Sequence, residues 1–260
     1  MTGPPLRVQV GRLARRSIAR TLRQPVLIVP NLVFPLFMLL VLSANGDQVT
    51  KVKGFPTHSY ITFLLAATLV QGAASATTLA GNLLGSDIES GFLSRIGLTP
   101  VRGSALVAAQ LAGVAVLGIG QSVLYLLVGL AAGVTVKAGI GGALVLIAVS
   151  LLFILAFGSI GLFAALRTGS AQQVQSLFAV ALGLLFMSSM VMPRNLIQVD
   201  WFQTIATYNP MSYLIEAPRS LLVSGWDGEA LALGCGIAAA TLIVMMTVAT
   251  TSLRSRMLGT

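Results

Sequence analysis

Within GSDIESGFLSRIGLTPVRG, residues 85–103, Asp87, Glu89, Arg95 and Arg102 crowd together in a chain whose charged residues make up only 9% of the sequence. Acids and arginines at this density pair with one another or dock a charged protein surface. They are not matched by the parts of a catalytic site. The chain has one histidine, His58, and one cysteine, Cys235, so one copy can build neither a metal cluster nor a disulfide framework. No serine sits in a G-x-S-x-G elbow, and none of Lys51, Lys53 and Lys137 follows a glycine as a phosphate-loop lysine must. The chain is therefore expected not to be an enzyme and to bind no cofactor itself.

The elements that must position those charges are apolar. Hydrophobic residues make up 56% of the 260, and the mean hydropathy is +0.91, with far less charge than a soluble domain carries. A helix needs about 20 apolar residues to cross a ~30 Å hydrocarbon layer. Six stretches qualify: Val26–Ala44, Ser59–Gly81, Leu106–Gly133, Gly139–Leu166, Ala171–Met192 and Leu231–Ser252. Each must be helical, because an unpaired backbone amide in lipid costs several kcal/mol. The expected fold is thus an all-α polytopic membrane protein, a single domain over 1–260 with six transmembrane helices.

Six crossings place both termini on one side, together with the 82–105 loop and the turn at Arg167. Eleven arginines against two acids fall there, whereas five basic residues meet five acids opposite, so the entire formal charge of +9 lies on one face. That face is expected to be cytoplasmic. Its basic residues flank spans and meet anionic lipid headgroups, which excludes nucleic acid as the partner a pI near 10.9 would suggest in a soluble protein. Ahead of the first span, residues 6–24 set Leu6, Val10, Leu13 and Ile18 near one helical face and Arg12, Arg16, Arg20 and Arg23 along another. This amphipathic helix is expected to lie flat at the cytoplasmic surface. Leu42, where a small residue would be needed, argues against a cleaved signal peptide.

No Asp, Glu, Lys, Arg or His lies in the middle of any span, whereas carriers driven by protons or sodium hold a titratable group there. Uphill movement would need energy from another chain. In residues 87–97, Ile88, Phe92, Leu93 and Ile96 recur at helical spacing. Asp87 and Glu89 are expected at the helix start, and Thr99-Pro100 stops it.

The segment SDIESGFLSRIGLTPVRGSALVAAQL resembles the cytoplasmic loop of type-2 ABC transporter permeases, with its acidic pair, glycine, apolar residues and Thr-Pro before the third span. Asp87, Glu89, Gly91, Thr99, Pro100 and Arg102 occupy the pattern; Phe92 departs from the small polar residue common there. The resemblance implies that this loop, with Ile88 and Phe92, is a coupling helix seated in a separate ATPase subunit. A second match, MPRNLIQVDWFQTIATYNPMSYLIEAPRSLL, resembles the family's extracellular re-entrant pair of short helices within 193–230. Its Pro193, Asn209, Pro210, Tyr213 and Arg219 fit, and Pro218 departs. Glu216 and Arg219, three apart, are placed to pair. Trp201, Phe202, Tyr208 and Tyr213 suit the membrane interface.

The resemblance implies a permease subunit of an exporter in the bacterial cytoplasmic membrane, nearest the drug and lipid branch, with glycan exporters sharing the architecture. Two ATPase subunits holding ATP and Mg, and a second permease copy or homologue, would complete it. Gly113, Gly118 and Gly120 would let helices pack and slide closely, and Pro30 and Pro35 would kink the first span. An ion-coupled carrier and a non-transporting scaffold are the alternatives.

Overall fold

The computed structural model describes residues 6–44, 46–91 and 103–258, and among them the chain is helical without strands. In order these are α1 (Leu6–Leu22), α2 (Pro25–Ser43), the single turn α3 (Gly46–Val49), α4 (Tyr60–Glu89), α5 (Gly103–Ala131), α6 (Gly139–Thr168), α7 (Ala171–Phe186), α8 (Asp200–Tyr208), α9 (Pro210–Arg219) and α10 (Gly228–Leu258). A 3-10 turn, Arg194–Leu196, precedes α8, and a π-helical turn, Ser220–Ser224, follows α9.

Among the described residues five helices are long and apolar enough to cross a membrane: α2, α4, α5, α6 and α10. The expected fifth span, 171–192, is shorter than its sequence suggested. α7 stops at Phe186 after 16 residues, about 24 Å at 1.5 Å per residue, and the chain turns through 187–192. Apolar composition continues past the point where the backbone leaves the helix, so the hydropathy pattern overran the element.

α4 is the axis of the molecule. Ser59 caps it, its side chain accepting from Thr62 N, and its apolar stretch is buried on every side by α2, α5, α6, α7 and α9. Such enclosure needs small residues where backbones meet. A Cβ on Gly161 of α6 would collide with the Thr77 backbone oxygen, and Thr77 Oγ1 donates to Phe157 O at 3.1 Å across the same crossing. On the other side, a Cβ on Gly85 would sit 2.9 Å from Ala171 N, where α7 begins. In α5, Gly113 admits Ser17 and Thr21 of α1, and Gly118 admits Ile154 of α6, but nothing lies near Gly120, so two of the three glycines serve packing.

Pro25 opens α2 at a position where its missing N–H costs nothing. Pro35, inside α2, withholds the N–H that would reach the Asn31 carbonyl. The Tyr125 hydroxyl of α5 takes over, donating to Leu32 O at 2.9 Å and Asn31 O at 3.3 Å. Tyr125 is buried, and of its two partner carbonyls that of Asn31 is the one the proline frees.

α1 packs along α5. It buries Ser17 and Thr21 against α5, with Leu13 near Leu106 and Ala109, Ser17 at Gln110 and Thr21 at Gly113, so the two helices advance side by side in the same direction. Ser and Thr four apart complete the inward face that Leu13 begins. Arg12, Arg15 and Arg23 remain exposed.

Candidate functional site: the anchored base of α4 and the outer short helices

The expected coupling segment divides at Glu89. Asp87, Ile88 and Glu89 form the last turn of α4, Ser90 ends it and Gly91 follows at φ +69, a backbone conformation that favours glycine. Phe92, Thr99, Pro100 and Arg102 lie outside the described residues. The acids therefore stand at a helix C-terminus, where the dipole opposes them, rather than at the start of a short helix. Something else must hold them.

For Asp87 that is a set of donors from two other helices. Its side chain is 2% exposed; Oδ1 accepts from Arg20 Nη1, Arg16 Nη2 lies 3.5 Å away, and Oδ2 accepts from Gln110 Nε2 at 2.7 Å. Arg20 also donates to Ser86 Oγ at 2.6 Å and to Leu83 O at 3.3 Å. The Ser17 hydroxyl lies 3.3 Å from Gln110 Oε1. One carboxylate thus ties α1, α4 and α5 together. It faces α1 and α5 of its own chain. Glu89, by contrast, is exposed and accepts from Ala171 N at 3.4 Å, so it sits over the N-terminus of α7, where the helix dipole favours an acid. Ile88 is half-buried.

At the opposite end the two short helices form a hairpin hinged on Asn209. This residue caps α9, Oδ1 accepting from Met211 N at 2.9 Å, while Pro210 occupies the first helical position. Its Nδ2 donates to Leu184 O at 2.6 Å and Met187 O at 2.9 Å, closing the carbonyls left open where α7 stops. The Ser212 hydroxyl donates to Ala206 O at 2.6 Å and accepts from Ser189 N at 3.0 Å. Asn209 is buried, and its four polar atoms' worth of geometry is spent on the fold.

Glu216 and Arg219 do not pair. Glu216 binds Arg194, whose guanidinium also lies 4.6 Å from the Tyr213 ring centre, while Tyr213 Oη donates to Thr207 O at 2.9 Å. Burial works to lower the Arg194 pKa, yet Glu216 and Tyr213 hold it above its ordinary value. Pro193, just ahead, starts the 3-10 turn that carries Arg194. Arg219 turns inward instead, 7% exposed, 3.6 Å above the Phe63 ring centre and donating to Met190 O at 3.2 Å. Pro218 neither ends nor breaks α9; the chain continues into the π-helical turn, where Gly225 N bonds Ser220 O at 2.8 Å. Trp201 and Tyr208 are exposed, as interface anchors would be, whereas Phe202 and Tyr213 are half-buried.

No spacing along the chain marks Arg20 and Gln110 as partners of Asp87, or Arg194 as partner of Glu216. The one available signal was Gln110 itself, an amide early in an apolar helix.

The family model described as ABC-2 type transporter matches residues 8–223. The chain belongs to that family. The match begins in α1 and ends in the π-helical turn, so it takes in both the anchored base of α4 and the Asn209 hairpin. A comparison with curated proteins returned no match. Membership, with five long apolar helices, makes this a multi-pass membrane subunit of an ABC-type transporter; the ABC-2 permease is not itself catalytic, and ABC ATPase subunits are its implied partners.

Proposed function

We propose that this ABC-2 subunit is the permease of an ATP-driven exporter that moves an amphipathic, drug-like or lipid-like substrate, or a glycan, out across the bacterial cytoplasmic membrane. Two ATPase subunits supply ATP and Mg, and a second permease copy or homologue faces this one. Both termini, Arg167 and the 92–102 loop lie in the cytoplasm, in keeping with the +9 charge on that face. α7 crosses most of the hydrocarbon layer, and the hairpin of α8 and α9 re-enters from outside to complete the sixth pass.

The observation that carries the coupling part of this reading is the Asp87 cluster. A loop that begins three residues after Glu89 and ends at α5 leaves from two helices already joined to α1 by one carboxylate. A push on residues 92–102 by an ATPase then reaches α1, α4 and α5 as one body. Outward release runs past the Asn209 hairpin, with the Arg194–Glu216 pair at its outer edge.

The test is ATPase turnover of the cognate ATPase co-purified with this chain in lipid nanodiscs, comparing wild type with Glu89→Ala plus Gly91→Pro. Proline fixes φ near −65° and cannot occupy the +69° of Gly91. Turnover that drops while the complex survives supports coupling through the loop. Failure of any ATPase to associate, or turnover indifferent to the double variant, overturns it.

A further inference from the structure

A polar stripe runs down α4 on a face distinct from that of Asp87. Thr68, Gln71, Ser75, Thr78, Asn82 and Ser86 are spaced by three and four, which at 100° per residue confines them to a band roughly 80° wide. Thr68, Ser75 and Thr78 return their hydroxyl protons to carbonyls of their own helix. Gln71 does not: it is 1% exposed, and both amide atoms lack a partner among the described residues. An amide without partners in an apolar interior is costly, and nothing in packing alone asks for one.

Ser75, Asn82 and Ser86 of this band reach a groove between α2 and α7, which both pack on α4, while Gln71 lies buried behind it. At mid-helix, where Pro30 and Pro35 shape α2, a cavity of about 230 Å³ is lined by Asn31, Phe34, Ser75 and Phe178. Nearer the Asp87 end the groove widens to about 480 Å³, lined by Gln24, Asn82, Ser86, Gln172 and Gln175. Neither lining includes a charged side chain; Arg20, which reaches Ser86, is held by Asp87, and Glu89 accepts from Ala171 N. Carboxamides both donate and accept, which suits hydroxyl and amide groups, and nothing in the lining neutralises an ionic headgroup. The narrower section, with Phe34 and Phe178, suits an apolar body.

We propose that the groove between α2 and α7 binds a single amphiphile whose headgroup is uncharged and rich in hydrogen-bonding hydroxyl or amide groups. The headgroup rests among Gln24, Asn82, Gln172 and Gln175, and the apolar chain runs toward Phe34 and Phe178. This deepens the permease reading by naming the cargo's chemistry, and so rests on it. Binding can nevertheless be measured without an ATPase, so the two readings fail separately.

The chain, as Cys235→Ser with Ser176→Cys labelled by an environment-sensitive fluorophore, is placed in nanodiscs and titrated with three amphiphiles sharing one dialkyl body: a glucoside, a phosphate and a trimethylammonium. The expected result is a saturable response to the glucoside at about ten-fold lower mole fraction than to either ion, lost in Asn82→Leu plus Gln175→Leu. Asn82→Asp plus Gln175→Glu should reverse the order in favour of the trimethylammonium compound, a gain that a misfolded chain would not give. Equal response to all three headgroups, a preference of the unaltered groove for either ion, or an unchanged preference in the acidic variant overturns the proposal.

Discussion

Two carboxylates two residues apart illustrate how environment assigns roles. Asp87 is buried among Arg20, Arg16 and Gln110, and Glu89 stands in solvent over the start of α7. Removing one partner of a buried, hydrogen-bonded pair costs far more than removing both, because the survivor keeps its desolvation penalty. Arg20 is about a quarter exposed, which softens that penalty without abolishing it. Asp87→Leu should therefore destabilise the protein by about 2–4 kcal/mol, and Asp87→Leu with Arg20→Leu by less than the two single changes added together, leaving a coupling energy of about 1–3 kcal/mol. Thermal unfolding of the four proteins in nanodiscs measures it. Strict additivity would mean that Asp87 does not join α1 to α4. The Arg194–Glu216 pair, a quarter exposed at both ends, would contribute only about 0.5–1 kcal/mol in the same cycle.

Among the elements, α2 holds its irregular backbone together with help from α5. The Tyr125 hydroxyl meets the carbonyl freed by Pro35, so Tyr125→Phe should cost about 1–2 kcal/mol, and Tyr125→Phe with Pro35→Ala should recover much of it by restoring the helical bond. Unfolding of the single and double variants decides this; no recovery would leave Tyr125 as a packing residue alone. Pro35 was visible in the sequence as a kink, but the hydroxyl answering it, 90 positions away, was not. The same contrast holds elsewhere. Long apolar runs announced α2, α4, α5, α6 and α10, since the lipid constraint acts on composition within one segment. The end of α7 was missed because apolar residues continue through the turn at 187–192, where Asn209 pairs the open carbonyls. Asp87 and Glu89 stand out by type, but type alone does not say that they close α4 rather than open a helix. The spacing of Ile88, Phe92, Leu93 and Ile96 predicts one short helix; α4 runs unbroken through Ile88 to Glu89, and the other three lie outside the described residues. Pairing of Glu216 with Arg219 followed from spacing along one helix, and lost to Arg194, which the 3-10 turn brings alongside.

For the whole molecule, topology turns on α7. Five long helices alone would put the termini on opposite sides and expose Arg254 and Arg256 to the outside, splitting the basic charge that the sequence gathers on one face. With 16 residues α7 spans about 24 Å, short of the ~30 Å layer, so a sixth pass needs the turn at 187–192 and the α9 end of the hairpin to fill the rest. Buried Ser188, Ser189 and Asn209, all hydrogen-bonded through backbone or side chain, are the means by which irregular chain survives at that depth. Single cysteines at Lys51, Lys137, Arg167 and Asp227, each in a Cys235→Ser background, separate the two topologies in intact cells treated with a membrane-impermeant maleimide. Six passes predict labelling at Lys51→Cys, Lys137→Cys and Asp227→Cys from outside, and at Arg167→Cys only after permeabilisation. If Asp227→Cys instead behaves like Arg167→Cys, α7 turns back without crossing, α10 carries the C-terminus out, and the charge asymmetry does not orient this chain.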